Sequence, residues 1–121
     1  MIWIRWAGAL LCIGVGLGAF GAHALKASLS TEALQVYQTA VLYHLIHGLG
    51  LLGVGLLSLL KPNEPLLRAA GWSLALGILL FSGSLYGLSI TGVKKLGMIT
   101  PFGGLAFLVG WLCLALAARG G

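Results

Sequence analysis

The residues of this chain able to do chemistry are three histidines and a set of hydroxyls. His44 and His47 are three apart, so one face of a helix carries both. His23 precedes them, Ser82, Ser84 and Tyr86 alternate along one short stretch, and Thr100 stands before Pro101. Three chemistries suit such a set. Imidazoles from His23, His44 and His47 could begin a metal site, but a fourth ligand is missing from their neighbourhood. Histidines at membrane depth could relay protons, since imidazole titrates near neutral pH. A serine beside a histidine could act as nucleophile and base. That last reading needs a carboxylate to orient the imidazole, and both acidic residues of the chain, Glu32 and Glu64, fall in polar connectors. The reading adopted is architectural, a polar zipper in which imidazole N–H and serine hydroxyls bond to carbonyls of neighbouring helices. No catalytic residue, metal site or cofactor is assigned.

The elements that must position these groups are four apolar stretches at about 2–22, 40–60, 68–90 and 101–118. At ~1.5 Å per helical residue, ~20 residues cross a hydrocarbon layer of ~30 Å. The chain is 60% hydrophobic and 7% charged, with a mean hydropathy of +1.07. A soluble domain of that composition could not cover itself with polar groups. We therefore expect an all-α integral membrane bundle of four transmembrane helices, up-down in topology, forming one domain over 1–121. No connector is long enough for a separate catalytic or nucleic-acid-binding domain. The net charge of +5 sits in loops and helix ends, where it suits lipid headgroups and not nucleic acid.

Local signals set the boundaries. Ser30 is a candidate N-cap with Glu32 in the first turn, so helix two begins near 31 and overshoots the bilayer core. Lys61-Pro62-Asn63-Glu64-Pro65 is a break, and Thr100-Pro101 reads as cap and first helical residue of the last helix. Arg5, the apolar run behind it and Ala22-His23-Ala24 resemble a cleavable signal. The length of the run and the interfacial pair Trp3/Trp6 favour a retained helix. Trp3, Trp6 and Trp72 form an interfacial belt, with Trp111 deeper. Arg5, Lys61, Arg68 and Arg119 lie on the side of the termini, against Lys26, Lys94 and Lys95 on the other, which leans towards cytoplasmic termini. Cys12 and Cys113 both fall inside spans and read as small apolar side chains.

Glycine is the other signal. Gly14 and Gly18, then Gly83 and Gly87, form GxxxG pairs, and Ala106 with Gly110 a small-xxx-small pair. In lipid, helices associate by close backbone approach, so these residues are expected at helix crossings. Antiparallel threading places His23, His44, His47, Ser82, Ser84, Tyr86 and Thr100 in one half of the membrane, where polar groups must find partners.

Four blocks in order, Gly18-Ala19-Phe20-Gly21-Ala22-His23-Ala24-Leu25, residues 43–47 before Gly48-Leu49, Phe81-Ser82-Gly83-Ser84-Leu85-Tyr86, and Thr100-Pro101-Phe102-Gly103-Gly104, resemble the YgdD/YwdK-like small membrane proteins (domain-of-unknown-function family 423). The resemblance spans essentially the whole chain. It implies a multi-pass protein of a bacterial cytoplasmic membrane with its first helix retained, and no established activity. His23, His47, Ser82, Ser84, Tyr86 and Pro101 occupy matching motif positions, whereas His44 is less characteristic of them. The function expected is that of a non-enzymatic membrane component, accessory or interacting, with lipids, a second copy or another membrane protein as partners. The other reading the residues leave open is a small transporter or channel subunit, or a lipid- or ligand-binding bundle, that uses the polar cluster.

Overall fold

Long apolar runs with their breaks in polar connectors produce four helical rods, Ile2–Leu25, Thr31–Leu60, Pro65–Thr91 and Lys94–Ala117. The computed structural model describes residues 1–119. In chain order, α1 is Ile2–Phe20 with a π-helical end Gly21–Leu25, and α2 is Thr31–Leu60. The third rod is α3, Pro65–Gly77, a π turn Ile78–Ser82, and α4, Gly83–Thr91. A 3-10 turn Lys94–Met98 leads into α5, Thr100–Ala117.

The ends follow capping chemistry. Ser30 accepts the Ala33 amide at 3.1 Å, and Glu64 accepts that of Leu66 at 3.2 Å with Pro65 opening α3. The third rod therefore starts ahead of the residue 68 expected from hydropathy alone. Gly92, at φ +73°, terminates α4 in a left-handed conformation that glycine adopts freely. Thr100 is not a cap. It is the first residue of α5, whose preceding residue Ile99 supplies no side-chain bond, and its hydroxyl is used across the bundle.

α1 packs on α2, α2 also meets α3 and α4, and α3 packs on α5. The cross-section is a rhomb, with the second and third rods as its short diagonal and the first and fourth at the far corners. The inward face of α2 keeps a strict 3,4 spacing through Tyr37, Ala40, His44, His47, Leu51 and Val54, the seam of helices that cross at a shallow angle. The third rod begins likewise, burying Leu67, Gly71, Leu74 and Ile78. Continued as an α-helix it would next turn Phe81, Leu85 and Leu88 inward. The π turn adds one residue and advances the face, so that Ser82 and Ser89 are buried and Tyr86 points into the bundle. A single extra residue thus separates an apolar half, built on Trp3, Ala7, Leu51, Val54, Leu74, Ile78 and Phe107, from a polar one.

Glycine sets the crossings, though not always the glycines expected. A methyl on Gly14 would strike Leu45 and the His44 ring, one on Gly18 would press on Val41, and one on Gly110 would strike Leu74. Gly48 and Gly55 receive Leu11 and Ile4 of α1, and Gly71 lies under Trp3. The tightest contact joins the third rod to α5, where Gly103 abuts the backbone of Phe81 and Gly77 faces the Phe107 ring. Gly83, by contrast, faces open space, because the π turn rotates it outward. Gly87 meets Leu96 of the 3-10 turn and no other helix, and Ala106 is only half-buried beside the buried line Gly103, Phe107 and Gly110. Trp3, Trp6 and Trp72 contact one another edge-on at 5.4–5.6 Å between centroids. Trp3 is buried, so this residue packs as core where an interfacial belt was expected. Trp111 lies over Gly50, inside the apolar layer.

Candidate functional site

His44 is the hub of the polar half. Its Nε2 lies 2.7 Å from the Leu10 carbonyl of α1. A carbonyl only accepts, so the ring carries its proton on Nε2 and donates it there. Nδ1 is then an acceptor, and the Tyr86 hydroxyl of α4 donates to it at 2.8 Å. One neutral imidazole therefore ties three rods together. The approach to Leu10 depends on Gly14, since a Cβ there would sit 3.2 Å from Nε2.

Tyr37, which the sequence reading leaves outside the cluster, belongs in it. It is 1% exposed, its hydroxyl donates to the Leu17 carbonyl of α1 at 2.5 Å, and its ring tilts against Tyr86 at 5.4 Å. Gly21 leaves room for that ring, because a side chain there would overlap it. The signal was present in the sequence. Tyr37 stands seven residues before His44, two turns back on the same face.

The other expected members separate into distinct contacts. His47 shares the inward face of α2 with His44 but swings the other way. It donates from Nδ1 to the Tyr43 carbonyl at 2.8 Å and stacks on Phe107 of α5 at 3.5 Å, nearly parallel. Tyr43 and Trp111 flank it. Ser82, fully buried, donates to the Ala40 carbonyl of α2 at 2.8 Å. Ser84 donates to Phe81 O at 2.9 Å and lies 2.6 Å from Thr100 Oγ1, so the Thr100 hydroxyl donates to Ser84. That pair joins α4 to α5. Ser89 donates to the Tyr86 carbonyl at 2.9 Å.

His23 is not part of the site. It lies on the exposed side of the π-helical end of α1, because that end turns Gly21, and not His23, towards Tyr37. Among the described residues no three histidine, cysteine or acidic side chains converge on one point. The polar half is a set of bonds whose acceptors are mostly backbone carbonyls, from Leu10, Leu17, Ala40, Tyr43 and Phe81. No buried side-chain nitrogen or oxygen among the described residues lacks a partner. Both nitrogens of His44 are engaged, so it could take up a proton only if the Tyr86 hydroxyl turned to accept from Nδ1.

Residues 17–104 match the family profile described as "Protein of unknown function (DUF423)". The "UPF0382 membrane protein YwdK" of Bacillus subtilis is 47% identical over 106 residues, covering 88% of this chain and 86% of the relative. The "UPF0382 membrane protein SERP0230" of Staphylococcus epidermidis is 48% identical over 105 residues, 87% of this chain and 84% of the relative. A third, "UPF0382 membrane protein SH2409" of Staphylococcus haemolyticus, is 47% identical over the same shares. No solved structure matches the chain.

Proposed function

Because the chain belongs to the DUF423 family, multi-pass membrane proteins of unknown function, we propose its role from its own geometry: a non-enzymatic membrane component that acts by association. The observation that carries this reading is the use of the polar cluster. The donors Tyr37, His44, Ser82, Tyr86 and Thr100 each end on an acceptor of another rod, which makes the cluster a lock between rods and leaves the outer faces for partners.

The outer face of α1 supports the association. Gly8, Cys12 and Gly16 follow one another at four-residue spacing and are all exposed, and a methyl on either glycine would meet nothing within 4 Å. Small residues at this spacing let two helices approach closely in lipid, and a stripe that matches itself suits a second copy about a two-fold axis. The setting is a bacterial cytoplasmic membrane with both termini on the cytoplasmic side, where Arg5, Lys61, Arg68 and Arg119 gather. The test is oxidative cross-linking of the native Cys12 in membranes, with Cys113→Ser as background. A cross-linked dimer is expected, lost in a Gly8→Leu/Gly16→Leu variant that still folds. A monomer under all conditions, or a solute flux in vesicles that disappears in a folded His44→Leu variant, would contradict the reading.

A further inference from the structure

The end of the bundle opposite the polar cluster carries a second concavity that the lock does not use. Where the α2–α3 connector meets the start of α1, a cleft of about 470 Å³ opens between Trp3, Ser58, Glu64, Arg68 and Trp72. Glu64, the cap of α3, and Arg68, in its first turn, both line the cleft. One oxygen of Glu64 holds the Leu66 amide, and the side chain lines the cleft. Ser58 donates to Val54 O at 2.8 Å, which leaves its oxygen as an acceptor. The cleft therefore offers a cation beside an anion.

A separate apolar groove of about 220 Å³ runs between α1 and α3, floored by Ala9 and Ala75 and walled by Trp6, Leu10 and Leu79. It exists because α1 and α3, neighbours along one edge of the rhomb, do not pack closely there, and two alanines keep it open. The tryptophan trio separates cleft from groove. Trp3 and Trp72 line the first, Trp6 lines the second, and the three rings touch. α1 and α3 both run inward from this end. From Arg68 to Leu79 the rise is roughly 16 Å, about half of a ~30 Å hydrocarbon layer. A cleft that carries one cation and one anion among apolar side chains, aromatic rings beneath it and an apolar groove one leaflet deep follow one another along a single line.

We propose that this line is a binding site for one glycerophospholipid with a zwitterionic, ammonium-bearing headgroup. The phosphate is held by the Arg68 guanidinium and the ammonium by the free oxygen of Glu64. The glycerol region rests on the tryptophans, and one acyl chain lies in the groove between α1 and α3. Charge complementarity selects this occupant. Either headgroup can give its phosphate to Arg68, but phosphoethanolamine alone presents a cation to Glu64, where the glycerol of phosphatidylglycerol offers only neutral hydroxyls.

The experiment is native mass spectrometry of the full chain released from detergent with equal amounts of phosphatidylethanolamine and phosphatidylglycerol. One retained phosphatidylethanolamine is expected, preferred by roughly tenfold, the effect of one charge-assisted bond. Glu64→Gln keeps the cap on Leu66 and should erase the preference while retaining lipid. Arg68→Gln should lose both lipids. Ala75→Leu, which fills the groove, should lower retention of the two-chain lipid more than that of its single-chain lyso form. Equal retention of the two lipids by the native chain, unchanged in Glu64→Gln and Arg68→Gln, would show an unselective lipid coat and overturn the proposal. So would retention of neither. Cross-linking through Cys12 is unaffected by any of these outcomes, so the two readings stand or fall separately.

Discussion

At the scale of single residues, the strongest constraint in the polar half is the pairing of His44 with two partners on different rods. Interhelical bonds in membranes average about 0.6 kcal/mol, small because the separated helices also find partners for their polar groups. A double-mutant cycle on His44→Leu and Tyr86→Phe should therefore give a coupling of about 0.6 kcal/mol, measured by unfolding in detergent. His44→Leu alone should lose about 1–2 kcal/mol, since the bond to Leu10 and the packing around Gly14 go with it. Strict additivity of the two substitutions would show that the Tyr86 bond contributes nothing. His44 was the histidine to which the motif blocks gave least weight, and it proves to be the hub. Periodicity could place it inward, but a single sequence shows only which face a side chain occupies. Which carbonyl it reaches depends on how closely α1 approaches at Gly14, and that distance is written in no local pattern.

Secondary-structure elements explain why some expected contacts are absent. GxxxG spacing was legible at Gly14, Gly18, Gly83 and Gly87, yet the spacing states only that two small residues share a face. The π turn at Ile78–Ser82 decides where that face points, and no run of residues between 78 and 82 announces it. Two substitutions separate the cases. Gly103→Ala drives a methyl into the Phe81 backbone, which cannot move aside as a flexible side chain would, so a loss of several kcal/mol is expected, roughly the 1–3 of overpacking or more. Gly83→Ala meets nothing and should be neutral or stabilising by up to about 1 kcal/mol, the helix preference of alanine over glycine. Thermal unfolding of the two variants in the same detergent checks both. Similar destabilisation at the two sites would mean that the register assigned to α4 is wrong.

For the molecule as a whole, apolar length and broken connectors made the four rods, their antiparallel order and the gathering of Ser82, Ser84, Tyr86 and His44 readable from sequence. The rhombic cross-section was not readable, because it follows from which faces approach closely, and glycines outside any GxxxG pair, such as Gly48, Gly55, Gly71 and Gly77, set that. It leaves α1 and α5 at the corners with broad outer faces, while the π turn divides the interior into an apolar half and a polar lock. The lock holds the rods together, and the ring nitrogens of its histidines report on it directly. Nitrogen-15 solid-state NMR of labelled histidine in bilayers, edited for contact with water, reads the protonated nitrogen of each ring. The bonds of the two rings require His44 protonated at Nε2 alone and His47 at Nδ1 alone, with no transfer from water to the His44 ring. A His44 ring protonated on both nitrogens, or one exchanging its proton with water, would mean that the cluster conducts or binds and does not merely hold the rods together.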